Sequence, residues 1–78
     1  MNVDKLIRMA NQIGSFFEAM PDRPQALQDI ALHIQRSWDP RMRAALLAEL
    51  DSRPGTEGLT PIVGEAVRTH RKSLEGSP

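Results

Sequence analysis

Apolar residues recur at helical spacing in four stretches of the chain, and prolines or polar capping residues bound these stretches. The first stretch runs from Val3 to Met20, where Pro21 and Pro24 end it. No segment alternates between apolar and polar residues with the period of two that is typical of a half-buried strand. The pattern therefore predicts an all-α fold, a small bundle of four short helices in a single domain.

Capping residues set the boundaries of the next two helices. Asp22, with Gln25 three residues later, resembles a capping box for the second helix, whose apolar stripe ends at Trp38. Asp39 is expected to be the N-cap of a third helix that runs from about Pro40 to Asp51. The second and third helices are therefore predicted to follow each other without a linker.

A loop over residues 53–58 separates the third helix from the fourth. Thr60 is expected to cap the fourth helix, which begins at Pro61 and whose apolar stripe is continued by His70. Residues 1–74 are predicted to form the helical domain, and residues 75–78 a flexible tail.

Glycines inside the first and fourth helices, Gly14 and Gly64, should each cost about 1 kcal/mol of stability relative to alanine. Close approach of another helix, from this chain or from a partner, would account for them. For Gly64, which lies near the start of its helix, we prefer simple tolerance as the interpretation.

Composition narrows the function classes. Ten basic residues balance ten acidic ones, so the chain lacks the positive excess that a nucleic-acid binder of this size normally carries. With no cysteine, it has no thiolate for a zinc site and no cysteine nucleophile. No apolar run approaches 18 residues, so we expect no contact with a membrane.

The strongest candidate for catalysis is His33, which has Asp29 one turn before it. Such a pair could raise the basicity of the imidazole. No serine or threonine is plausibly placed as a nucleophile for it, and His70 has no second metal ligand near it in sequence. We therefore interpret His33 as a packing residue or a partner contact, and we expect no catalytic, cofactor-binding or metal site in this chain.

The first helix has a wider apolar face than one neighbouring helix would cover, because Met9 and Phe16 extend its stripe. One interpretation is a partner-binding surface, to which methionine is well suited. The other is that the whole face is core, since a small bundle needs every apolar residue it has. The pattern favours neither.

The junction of the second and third helices is the second candidate surface. It contains the only tryptophan, Trp38, and places Arg41 and Arg43 in a first helical turn, where cations oppose the helix dipole. The two arginines differ by about 200° around the helix, so we expect one to serve the fold, bonded to the end of the preceding helix, and the other to bind a partner. The candidate partner-binding residues are Trp38, Arg41, Arg43, Met9, Phe16 and His33.

Two segments resemble the delta subunit of soluble NAD-dependent formate dehydrogenase. The first is Leu6–Gly14, followed by Phe16 and Phe17, and the second comprises His33-Ile34, Trp38–Arg43 and Leu46-Leu47. Order, spacing and total length agree with that family over roughly residues 1–70. The chain departs from the pattern at Ser37 and beyond Ser52.

The resemblance implies a non-catalytic accessory subunit of a cytoplasmic complex that oxidises formate to carbon dioxide and reduces NAD. It implies that the other subunits hold a molybdenum or tungsten pterin, iron–sulfur clusters, FMN and the NAD site, and that this chain holds no cofactor. The expected partner is the alpha subunit, which carries the molybdenum cofactor. A transient maturation chaperone for cofactor insertion is the alternative function, and a homodimer of the isolated chain is another way to cover the apolar face.

Overall fold

A computed structural model describes residues 2–75 of the chain, and these residues form helices and no strand. The helices are α1 (Val3–Phe17), α2 (Arg23–Ser37), α3 (Pro40–Ser52), α4 (Pro61–Thr69) and α5 (Arg71–Leu74). The predicted all-α fold is confirmed. Met1 and residues 76–78 of the predicted tail lie outside the described residues.

The last predicted helix is divided in two, which the apolar stripe does not indicate. His70 leaves helical geometry, with φ −110° and ψ 30°, and α5 is a single turn after it. Arg71 begins this turn and donates hydrogen bonds of 2.9 and 2.7 Å to the carboxylate of Asp51 at the end of α3. This hydrogen-bonded pair lowers the pKa of Asp51 and raises that of Arg71. The tether joins α5 to α3.

Two of the predicted caps are confirmed. Asp22 accepts a hydrogen bond from the backbone N–H of Gln25 at 3.1 Å, and Asp39 accepts one from that of Met42 at 3.0 Å. The reciprocal half of the capping box is absent, because the Gln25 side chain donates to Asp29 instead, at 2.9 Å. These caps fix the starts of α2 and α3 where the sequence predicts them.

The expected side-chain cap at Thr60 is wrong. Thr60 occupies the N-cap position of α4, but its side chain makes no capping hydrogen bond, and its buried Oγ1 has no partner among residues 2–75. Its backbone N–H donates to Oδ1 of Asn11 at 2.9 Å, and Nδ2 of Asn11 donates to the carbonyl of Gly58 at 3.0 Å. The amide of Asn11 therefore joins α1 to the turn before α4.

Gly14 lies where α1 and α4 approach closely. A Cβ at Gly14 would lie far inside van der Waals contact with Cγ2 of Val63, so the close approach of a helix from this chain is confirmed. A Cβ at Gly64 would be 3.2 Å from Nη1 of Arg68, the far end of a flexible side chain. The tolerance expected at Gly64 agrees with this geometry, because Arg68 can move aside.

The core draws on all five helices, with α2 packed against α1, α4 and α5. Trp38 belongs to this core and is 5% exposed. Its backbone N–H donates to the carbonyl of Ile34 at 2.9 Å, which ends α2. The largest fully buried side chains are Ile30, Ile34, Leu46, Leu74, Val63 and Val67.

Candidate partner-binding site

One face of α1 is left incompletely covered by the bundle. Phe16 is 80% exposed, while Met9, Ile13 and Phe17 are partly buried against the core. The rings of Phe16 and Phe17 pack edge to face, with centroids 5.1 Å apart. The wide apolar stripe of α1 is therefore partly core and partly open surface. Each of the two interpretations of the sequence holds for some of its residues.

This face of α1 borders an open groove, which we call the α1–α2 groove. It consists of two adjoining concavities of about 380 and 360 Å³ that share His33 and Ser37. Its α1 wall is Met9, Gln12, Ile13 and Phe17; its α2 wall is Asp29, Leu32, His33, Arg36 and Ser37; Trp38 and Met42 line the end next to Met9.

His33 lies where the two halves of the groove meet. Its ring is exposed, and its centroid lies 6.5 Å from that of Phe17. Among residues 2–75 His33 forms no ion pair with Asp29, whose carboxylate accepts a hydrogen bond from Gln25. Within the same residues no three side chains of the types His, Asp and Glu cluster to hold a metal ion. The geometry of His33 suits a contact residue.

Arg41 and Arg43 differ in the way that their angular separation predicts. Arg41 is exposed in the first turn of α3, whereas Arg43 is 9% exposed and lies on the buried face of that helix. The buried Nε of Arg43 has no hydrogen-bond partner among the described residues. The bond to the end of α2 that we expected is therefore not made by this atom.

The six candidate residues thus divide into two groups. Met9 and His33 line the groove, Phe16 packs against its wall residue Phe17, and Arg41 is the chain neighbour of its lining residue Met42. Trp38 and Arg43 are buried in the fold, although the exposed edge of Trp38 also lines the end of the groove. The sequence analysis did not identify Leu32 and Arg36 as groove residues, because both lie outside the apolar stripe of α2.

Charges of both signs line the groove, because Arg36 and Asp29 both lie on its α2 wall. The side chains of Arg36 and of Arg41, at the start of α3, make no ion pair within residues 2–75. The ion pairs of the described chain lie elsewhere, at Arg23–Glu65, Arg53–Glu49, Arg71–Asp51 and Arg71–Glu75.

A second concavity of about 480 Å³ lies between α2 and α4, next to Leu27 and His70. Its charged residues, Arg23 and Glu65, are bonded to each other at 2.7 Å. This concavity therefore offers a partner less unpaired charge than the α1–α2 groove does. None of the described helices is long and apolar enough to cross a membrane.

Comparison with known proteins agrees with the resemblance seen in the sequence. The family model of the NADH-dependent formate dehydrogenase delta subunit, FdsD, matches residues 5–67 of the chain. This range includes nearly all of α1, the whole of α2 and α3, and α4 as far as Val67. No curated protein and no solved structure matches the chain.

Proposed function

The chain belongs to the NADH-dependent formate dehydrogenase delta-subunit family, and we propose that it is a non-catalytic accessory subunit of that enzyme. In this proposal it assembles or stabilises a cytoplasmic complex by binding the molybdenum-containing alpha subunit. The observation that carries the proposal is the open face of α1, where Phe16 is 80% exposed beside the α1–α2 groove.

The energetic argument concerns Phe16. Burying a phenylalanine side chain is worth about 1.5–3 kcal/mol relative to leaving it exposed, and this fold does not obtain that stabilisation at Phe16. A partner that covers the ring and the adjoining groove would obtain it. Large aromatic residues in such positions often dominate the binding energy of an interface.

The residues of this chain do not fit the iron–sulfur clusters of a formate dehydrogenase. The chain has no cysteine to ligate an iron–sulfur cluster through thiolates. Residues 2–75 contain no group of three His, Asp or Glu side chains suited to a metal ion. We therefore propose that other subunits hold the iron–sulfur clusters, and that they also hold the molybdenum pterin, FMN and NAD, as the family resemblance implies.

The test is the composition of the intact complex. The chain is co-expressed with the other subunits in cells with and without molybdenum cofactor, and the purified complex is weighed by native mass spectrometry. A stable accessory subunit is present in a fixed ratio in both preparations. A chain that is substoichiometric and enriched on cofactor-free enzyme would contradict this proposal and favour the maturation chaperone.

A further inference from the structure

We propose that two copies of the free chain pair through the α1–α2 groove, in a two-fold symmetric dimer that places Asp29 of each copy against Arg36 of the other. The dimer covers the face that the proposed function assigns to the complex, so it forms while the chain is not bound to other subunits. The inference therefore goes beyond the proposed function, and it is tested on the chain alone.

The open face carries both a projecting ring and a depression. Phe16 is 80% exposed and packs edge to face on Phe17, which lines the half of the groove with a volume of about 380 Å³. A two-fold interface uses the same patch on both subunits, so a patch that pairs with itself needs a projection and a depression side by side. In the dimer the Phe16 ring of each copy enters the groove of the other, which buries apolar surface that the monomer leaves in water.

The α2 wall of the groove is a single helical stripe. Asp29, Leu32, His33, Arg36 and Ser37 occupy positions i, i+3, i+4, i+7 and i+8 of that helix. At 1.5 Å per residue, Asp29 and Arg36 lie roughly 10 Å apart along α2, with their midpoint between Leu32 and His33. An antiparallel approach of two α2 helices about a two-fold axis at this midpoint brings Asp29 of one copy beside Arg36 of the other, twice.

The charges of the groove are opposite in sign and unpaired within one chain. Among residues 2–75, Asp29 and Arg36 are the only Asp, Glu, Lys or Arg side chains that line it, and neither belongs to an ion pair of the described chain. The hydrogen bond that Asp29 accepts comes from the neutral side chain of Gln25, so the carboxylate keeps its charge. Antiparallel pairing of two copies forms two pairs of opposite charges, whereas a parallel approach would place like charges opposite each other. The groove therefore complements itself in one orientation.

The charge of the whole chain does not oppose this association. Ten basic residues balance ten acidic ones, and a net charge near zero removes the repulsion that keeps highly charged chains apart. Asp39 and Arg41, beyond the end of α2, also add one charge of each sign. The two proposed ion pairs are therefore not offset by repulsion between the copies.

The first test exchanges the two charges in the purified chain. D29K and R36E each place like charges opposite each other, so each should raise the dissociation constant of the dimer by about tenfold or more. D29K/R36E forms both pairs again with their signs exchanged and should dimerise within about threefold of the wild type. Sedimentation equilibrium over a roughly hundredfold range of concentration measures these constants.

K72E is the matched control for R36E. It makes the same change in net charge at an exposed cation of α5 that has no ion pair within residues 2–75, so it should dimerise as the wild type does. D29N or R36Q replaces a reversed variant that does not fold, and each should weaken the dimer by about threefold. A wild type that stays monomeric, or a double variant that dimerises no more tightly than the single ones, would overturn the inference.

The second test locates the two-fold axis. Because the chain has no cysteine, an introduced cysteine reports on one position. His33 lies next to the proposed axis, whereas Gln35 is exposed on α2 outside the groove. Packed helices lie roughly 8–10 Å apart, so a short bifunctional thiol reagent should join two copies of H33C and few of Q35C. Equal crosslinking of H33C and Q35C would show that α2 does not pair in this way.

This inference and the proposed function fail separately. A free chain that is monomeric ends the inference and leaves the proposed function standing. A chain that dimerises but does not copurify with the other subunits ends the proposed function alone. Well below the dissociation constant the chain is monomeric, and its free energy of unfolding then has no contribution from the interface.

Discussion

The two faces of α1 are packed in different ways. On the face toward α4, the backbone at Gly14 lies so close to Val63 that no side chain fits between them, and Asn11 is hydrogen-bonded on both sides of its amide. On the face toward the groove, Phe16 projects into solvent and Met9 is only partly buried. One helix thus carries a face that the fold completes and a face that it leaves open. The residues of the open face are the ones available to a partner.

The largest effect should come from adding a side chain at Gly14, on the face of α1 that packs against α4. Overpacking by G14A should destabilise the chain by about 1–3 kcal/mol, because the β-branched Val63 is buried and has no flexible end to move. This cost opposes a gain of about 1 kcal/mol in helix propensity, so we expect a net loss of stability. Chemical denaturation measures it.

G64A is the matched control, since the same glycine-to-alanine change meets only the end of the Arg68 side chain. It should leave stability unchanged or raise it by up to about 1 kcal/mol. If G14A proved as stable as G64A, the two faces of α1 would not differ as described.

A smaller effect is expected at the junction that ends the groove. Asp39 caps α3 by accepting from the N–H of Met42, so D39A should cost about 1 kcal/mol of stability. D39N keeps a capping oxygen and should lose much less. A thermal melt of D39A that coincides with the wild type would show that this cap does not stabilise α3.

The smallest effect concerns the tether between α5 and α3. Arg71 holds the pKa of Asp51 below its usual value. This depressed pKa stabilises the fold above about pH 4, and the contribution is lost as pH falls through the pKa of folded Asp51. Because both side chains are exposed, the difference in stability between wild type and D51N should be small at neutral pH and should vanish in acid. Denaturation curves between pH 2 and 7 measure it, and a difference that persists at pH 2 would contradict this account.

Local signals were sufficient for most of the fold. The Asp39-Pro40 pair predicted the start of α3. Pro21 and Pro24 predicted a break between the first two helices, but α1 ends at Phe17 and not at the predicted Met20. Two of the failures lie next to contacts between residues distant in sequence. Thr60 lacks its side-chain cap where its N–H is held by Asn11, and the last helix is broken at His70 where the next turn is tethered to Asp51.

The candidate site was also only partly predictable. The width of the α1 stripe indicated excess apolar surface, but helical spacing cannot show that Phe16 is exposed while Phe17 packs inward. Nor can it show that Trp38 is buried, because both a core and an interface favour tryptophan. Which residues of α2 face the groove depends on how α1 and α2 pack together, and the sequence pattern does not contain that information.

Substitution of Phe16 tests most directly whether the open face of α1 binds the complex. F16A should change the free energy of unfolding by less than about 0.5 kcal/mol, since the ring is 80% exposed. It should lower retention of the chain in the formate dehydrogenase complex by about tenfold or more. Q35A, a change on an exposed residue of α2 outside the groove, should affect neither quantity. An F16A chain retained at the wild-type ratio would contradict the account.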